Sequence, residues 1–291
     1  MASESDSMTA PARSSIGERV RAFYEELPFN YHSSVDSAVE HIRQNPVPLS
    51  YPDLHALLSG GAVSTVLEFG CGAGWLSNAL ALHYDVKVTA VDFSARALGR
   101  AEAVADALGL RERVDFVHSN LFDFDAVQPV DLVISLGVLH HTGDAGAAFE
   151  HIQQFAGPGA HVYVGLYHLY GRREFLRVFR ELFEQGGEPL AFRHYRQLDD
   201  ARQGDPEHMR SWFRDQLLHP HETLHTLREV AQWCLRDRLE VISTSINGFQ
   251  ALVDLAALFE LEKDYERRSH QANVIEQRYF PGFFVVMAQR Q

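Results

Sequence analysis

Cysteine is nearly missing from this chain: two residues, Cys71 and Cys234, in 291. That excludes a disulfide framework and a four-cysteine metal site, and it fits a reducing compartment. Basic charge is also short, with 26 Lys+Arg against 39 Asp+Glu and a formal net charge of −13. The longest basic clusters are the pairs Arg172-Arg173 and Arg267-Arg268, so the basic stripe of a nucleic-acid binder is missing. No apolar run is long enough to span a bilayer. The opening "MASESDSMTAPARSS" has neither the basic nor the apolar region of a signal peptide. These gaps lead to the expectation of a cytoplasmic protein without membrane attachment, beginning with a disordered, Ser-rich tip over 1–15.

What is present falls into four parts. Residues 16–58 form a helical preface. Ile16, Val20, Phe23 and Leu27 recur at helical spacing until Pro28, and a second helix covers roughly 34–44. The three prolines of "NPVPLSYPD" close this part, which reads as a lid. From 59 to 170, apolar runs alternate with helical patterns. The runs are "AVSTVLEF", 86–93, 113–119, 130–137 and 160–168, the last preceded by a Pro158-Gly159 turn. Such alternation predicts an α/β fold with a mostly parallel sheet covered on both faces. Residues 171–236 are charged, aromatic and helical in pattern, and read as an inserted cap. Two more strands, 239–246 and 283–289, belong with the core at 237–291.

The chemistry concentrates at "VLEFGCGAGWLS". Glu68 ends a strand, and Gly70, Gly72 and Gly74 carry the chain into a helix. Glycines permit a tight turn and close ligand approach, and the helix start offers free N–H groups. A pyrophosphate-binding turn reads G-x-G-x-x-G, and here the third glycine comes one residue early. Glu68 would also repel a pyrophosphate, so a cationic or zwitterionic ligand suits the turn better. Asp92, eighteen residues past the last glycine, ends the next run where a carboxylate can take both hydroxyls of a ribose.

These residues resemble the class I S-adenosylmethionine-dependent methyltransferases. Glu68-x-Gly70-x-Gly72-x-Gly74 matches the first motif of that family and Asp92 its ribose acid. Asp131 to Gly137, "VLHHTGD" and "GPGAHVYVGLY" match its fourth and fifth strands and their loops. The resemblance covers roughly 60–170. It implies a Rossmann-like seven-stranded sheet flanked by helices, with S-adenosyl-L-methionine over the carboxyl ends of the strands. S-adenosyl-L-homocysteine would be the product, and no metal is expected. The implied cofactor contacts are Glu68, Gly70, Cys71, Gly72, Gly74, Asp92, Phe93, Asn120, Leu121, Phe122 and Leu136. Asn120 or Asp123 would meet the adenine amine, with Asn120 preferred.

The acceptor side is read from four places. His140 and His141 follow the fourth strand, with His141 the first choice for a base or substrate contact. Tyr167, His168 and Tyr170 follow the fifth. Tyr24, Asn30 and Tyr31 come from the lid, where aromatics can close over a sulfonium. Trp212, Gln216, His221 and Glu222 come from the inserted segment. His141, Tyr31 and His221 are the catalytic candidates, and the others are expected to bind substrate.

The expected activity is methyl transfer by in-line displacement to a small molecule, with O, N, S and C acceptors all open. Alternatives are methylation of an RNA base such as one in tRNA, or a non-catalytic cofactor-binding scaffold. A homo-oligomer is compatible with the sequence.

"HPHETLH" (219–225) contains a literal H-E-x-x-H, the zinc-protease pattern. On a helix the next carboxylate on that face, Glu229, lies about 12 Å from His221 along the axis, too far for one ion. Arg228 also takes the glycine position of the longer motif. The stretch reads instead as a helix start, with Pro220 in the first turn, Glu222 at the positive end, and Leu224, Leu227 and Ala231 as its buried stripe.

Overall fold

The structure is a computed structural model that describes residues 10–45, 47, 51–125, 128–252 and 254–291, with side chains from residue 16 onward. Part of the expected disordered tip, residues 1–9, lies outside the described residues. Residues 10–15, expected in the same tip, are instead the first turns of a helix.

That helix, α1 (Ala10–Glu26), is followed by α2 (Val35–Gln44) and α3 (Pro52–Ser59). Ser34 caps α2 by accepting the Ser37 N–H, and Pro52 opens α3. The core then alternates: β1 (Thr65–Phe69), α4 (Trp75–His83), β2 (Lys87–Asp92), α5 (Ala95–Leu108), β3 (Val114–His118), β4 (Val130–Leu136), α6 (Ala145–Gln153) and β5 (Ala156–Tyr167). After β5 come α7 (Leu169–Leu198), α8 (Pro206–Leu217) and α9 (Leu227–Arg236). The chain closes with β6 (Leu239–Thr244), α10 (Leu255–Leu261), α11 (Tyr265–His270) and β7 (Phe283–Arg290).

The seven strands form one sheet in the order β3-β2-β1-β4-β5-β7-β6. The first five are parallel, and β7 runs antiparallel between β5 and β6. Strand order reverses between β1 and β4, and in such sheets ligands bind outside the carboxyl ends of the strands at that switch point. Alternate residues feed two cores. Val66, Leu132, Ile134, Val285 and Met287 pack toward α2–α5, while Leu67, Phe69, Val133, Phe284 and Val286 pack toward α6, α9 and α10.

Two expectations shift. Strand β5 begins at Ala156, four residues early, and the Pro158-Gly159 turn is absorbed as an irregularity between Val130 and Leu132 of β4. The 171–236 segment divides. Helices α7 and α8 share a small core of Phe175, Phe179, Tyr195, Met209 and Phe213, whereas Leu227, Val230 and Cys234 of α9 belong to the main core. Helix α7 bends at Gly186-Gly187, which leave helical geometry. Among the described residues, no helix is long and apolar enough to cross a membrane.

Gly282 precedes β7 with φ +70, and a Cβ there would lie 2.1 Å from the Arg172 backbone nitrogen. Gly248 has a similar φ of +68 with open space around it. Gly282→Ala should therefore cost about 2–5 kcal/mol, strain plus collision, and Gly248→Ala only about 1–2 kcal/mol. Urea unfolding checks this, and equal losses would show that crowding at Gly282 is relieved cheaply.

Candidate active site

A cleft of about 850 Å³ opens at the switch point, within the size range of small-molecule sites. Its floor is the glycine turn. Gly70, Gly72 and Gly74 have φ of +73, +55 and +75, all left-handed. A Cβ on Gly70 would strike Val138 at 2.2 Å, and one on Gly74 would strike Ala101 at 2.6 Å. Gly72 is different: its nearest neighbour would be the Phe29 carbonyl at 3.9 Å, so its face stays open to the cleft.

Two buried carboxylates stand beside this turn. Glu68 takes the Ser77 hydroxyl and, through burial, its pKa is pushed up to about 7. Asp92 accepts the Gly72 and Ser94 N–H groups, each at 2.8 Å, yet burial still holds it above the ordinary aspartate value. Both carboxylates would be relieved by a cation, so the donor set fits a ligand carrying a sulfonium and an ammonium.

Of the expected cofactor contacts, Glu68, Gly70, Cys71, Gly72, Asp92, Phe93, Asn120, Leu121, Phe122 and Leu136 line the cleft. Gly74 lies beneath it as the cap of α4. Asn120 Oδ1 accepts the Phe122 N–H at 2.9 Å, which turns the loop; Asp123 lines the same end.

The acceptor-side candidates separate. Tyr24 and His141 line the cleft. Tyr24 donates to Asp215 Oδ1 at 2.6 Å, and its pKa is held well above the free value by burial and by that carboxylate. Tyr167 donates to the other oxygen of Asp215 at 3.1 Å, and Gln216 donates to Tyr167 and to Asp215. Tyr167 and Gln216 thus stand one layer behind Tyr24.

Other candidates are turned elsewhere. Asn30 accepts the Trp212 indole N–H at 2.9 Å and also meets His208. Tyr31 receives Arg100 at 3.0 Å and carries that guanidinium over its ring at 4.2 Å. His168 is fully buried on Glu262, with the Tyr170 ring edge-on to it, 5.6 Å between centroids. His140 is fully buried, its Nδ1 facing the Tyr167 N–H at 3.3 Å.

The HPHETLH stretch corrects the expected helix. Helix α9 starts only at Leu227, where Thr226 takes the Glu229 N–H. Residues 219–226 form no helix, and several of their backbone groups find partners outside the stretch. Thr223 N–H donates to the His140 carbonyl, His225 N–H to the Tyr167 carbonyl, and the His225 carbonyl accepts from Leu169. His221 and His225 therefore share no helix face. The His221 Nε2–H donates to the Thr142 carbonyl at 3.1 Å rather than toward an acceptor. Glu222 forms a bidentate pair with the buried Arg172, at 3.1 and 2.7 Å.

That same stretch sets the tautomer of His141. Its Nδ1 lies 2.9 Å from the His221 carbonyl, which can only accept. The proton is therefore on Nδ1, and Nε2 is a lone pair, buried and without a hydrogen-bond partner. Burial lowers the His141 pKa to about 3, so the ring is neutral. His219, stacked on it at 3.6 Å, is lowered to about 2 by the same cause.

Arg172 entered the sequence reading only as half of a basic pair. Gly17, Val20 and Arg21 also line the cleft with Tyr24, and their spacing on one face of α1 was the available signal.

Residues 66–159 match the family model described as a methyltransferase domain. An uncharacterised protein of Synechococcus sp. is 24% identical over 251 residues, 75% of this chain and 58% of that protein. A ubiquinone biosynthesis O-methyltransferase of Aromatoleum aromaticum is 32% identical over 121 residues, 41% of this chain and 49% of that one. The chain thus spans about half the length of the curated relatives it matches. Among solved structures, PKMT2 from Rickettsia typhi superposes with a TM-score of 0.55 at 14% identity, over 79% of this chain and 49% of that one, a likeness of fold.

The buried histidines make stability depend on pH. His141 and His219 are depressed by burial below the ordinary value of 6.5. The unfolded chain protonates them first, so stability is full above pH 6.5 and is lost as pH falls toward 4. Each should remove about 1–2 kcal/mol by about pH 5. Thermal melts across this range should show a steep fall in Tm, and a flat profile would contradict neutral burial.

Proposed function

We propose, on the premise that this chain is a class I S-adenosylmethionine-dependent methyltransferase, that it methylates the oxygen of a hydroxyl-bearing small molecule. The observation that carries this reading is that His141 lines the cleft as a neutral ring, with its proton on Nδ1 and its Nε2 without a hydrogen-bond partner.

Bound S-adenosylmethionine supplies an activated methyl on a good leaving group. Glu68 and the open face of Gly72 would hold its amino-acid end, Asp92 its ribose, and Phe93, Asn120, Leu121 and Phe122 its adenine. The chain's own task is to align the acceptor, exclude water and receive a proton. An amine or thioether acceptor needs no base, whereas a hydroxyl must lose its proton as the new bond forms. His141 Nε2 is the acceptor for that proton. An oxygen gaining a methyl becomes a far stronger acid than an imidazolium, so a ring of depressed basicity still takes it.

His221 holds His141 in this state through its backbone carbonyl, and holds the adjoining loop through its ring; it acts as a positioning residue. Tyr24, fixed on Asp215, presents its ring at the cleft 6.4 Å from the His141 ring and 6.2 Å from Phe93. A small acceptor suits a cleft of about 850 Å³ that α1 walls with Gly17, Val20, Arg21 and Tyr24. The acidic balance of the chain also speaks against RNA.

A panel of phenols, alcohols, thiols and amines tests the reading, with release of S-adenosylhomocysteine as readout. Turnover is expected with the hydroxyl compounds, and turnover confined to amines or thiols would contradict it. With an active substrate, His141→Ala should lower kcat by roughly 10²–10⁴-fold. Cofactor affinity should stay within about threefold, and the acid limb of the wild-type kcat profile should lie well below pH 6.5.

A further inference from the structure

A second histidine cluster lies away from the proposed methyl-transfer site, where the loop after α1 meets the start of α8. His32, Asp205 and His208 each offer one ligand atom, and all three atoms lie within 4.8 Å of one another. His32 and His208 are 8% and 5% exposed. The two rings are stacked with centroids 3.9 Å apart, and the His41 ring is 5.2 Å from His32.

The hydrogen bonding of His32 does not close. Its Nδ1 sits 3.5 Å from Asp205 Oδ2, long for a hydrogen bond. Its Nε2 is buried and has no partner. With the proton on Nδ1, a buried lone pair is left over at Nε2. With the proton on Nε2, a bare Nδ1 lone pair faces a carboxylate. A cation beside Nδ1 removes the second conflict. A void of about 10 Å³, about the size of one water, is lined by His32, Asn30 and His41.

The surroundings match a metal site as well. Two ligands on a tetrahedral zinc at 2.0–2.1 Å stand about 3.4 Å apart, close to the His32–Asp205 separation. The widest separation in the trio would close by at most about 1.4 Å on binding. Asp205 is already oriented from outside. It caps α8 by taking the His208 N–H at 3.1 Å, and its other oxygen takes the Ser33 N–H at 3.0 Å, the Ser33 hydroxyl at 3.1 Å and the Ser37 hydroxyl at 3.4 Å. The His208 Nε2 meets Asn30 Oδ1 and the Trp212 indole N–H, the latter at 3.0 Å, so both of its neighbours come from outside the trio. Hydrogen-bonded ligands of this kind are the rule in metal centres. Of the two cations that face the cluster, Arg202 is paired with Asp199 at 2.6 Å, and Arg100 is turned onto the His32 carbonyl at 2.8 Å.

We propose that His32, Asp205 and His208 bind one divalent transition-metal ion of the zinc type, with water in the fourth position. The ion ties the lid loop to the cap. It serves structure, since none of its ligands lines the large cleft, and it is independent of the acceptor chemistry.

The test uses the full, tag-free chain, stripped with chelator and dialysed against zinc or cobalt(II). One equivalent is expected by elemental analysis, with the intense visible absorption of tetrahedral cobalt and a rise in Tm on reloading. His32→Gln should lose the ion. Asp205→Asn should lose it too while keeping an acceptor for the His208 N–H, so the helix cap survives. Circular dichroism confirms folding in each. No stoichiometric ion in the wild-type chain overturns the proposal, and so does full retention of the ion by both folded variants.

Discussion

One buried carboxylate holds the site together. Asp215, on α8, accepts Tyr24 from the lid, Tyr167 from the end of β5 and Gln216 from its own helix. A carboxylate 5% exposed survives in such a place only when its oxygens are fully engaged. The balancing charge is close by. Arg172, fully buried, stacks on Tyr167 at 3.8 Å, donates to Gln216 and pairs with Glu222 of the HPHETLH stretch. Helix α1, strand β5, helices α7 and α8 and the connecting loop therefore share one polar network. Hydrogen bonds to charged groups contribute about 1.5–3 kcal/mol each, and removing one partner leaves another buried and unsatisfied.

That constraint explains the neutral histidines around it. His140, His141 and His219 pack ring against ring beside Arg172, so a further proton would be buried among cations and aromatic faces. Each ring is fixed by a backbone group: the Tyr167 N–H for His140, the His221 carbonyl for His141 and the His221 N–H for His219. The tautomer of His141 at the cleft is thus set by chain path rather than by a carboxylate partner. This is why the connecting stretch matters although His221 and Glu222 turn their side chains to Thr142 and Arg172.

Much of the core was legible in the sequence because its signals are local. The glycine turn needs left-handed residues at Gly70, Gly72 and Gly74, and only glycine adopts them freely. Glu68 and Asp92 end apolar runs, and ten of the eleven expected cofactor contacts line one cleft. The acceptor side was less legible because its partners are distant in the chain. His221-Glu222-Thr223 has the composition of a helix start, yet the Thr223 N–H is claimed by the carbonyl of His140, far earlier in the chain, and the His221 N–H by the His219 ring. Asn30 and Tyr31 sit in a loop suited to a lid, but Trp212 and Arg100 hold them on the far side of it. No local pattern marks Arg172 as buried; its backbone fits where it does because Gly282 carries no Cβ.

The central claim is that the glycine turn and its two carboxylates form a cofactor site. Calorimetric titration of S-adenosylhomocysteine into the wild-type chain and into Asp92→Ala tests it most directly. The account predicts saturable one-to-one binding that weakens by roughly tenfold or more in the folded variant, the loss of a charged hydrogen-bonding partner. Absence of saturable binding to the wild-type chain, or equal affinity in both, would contradict it.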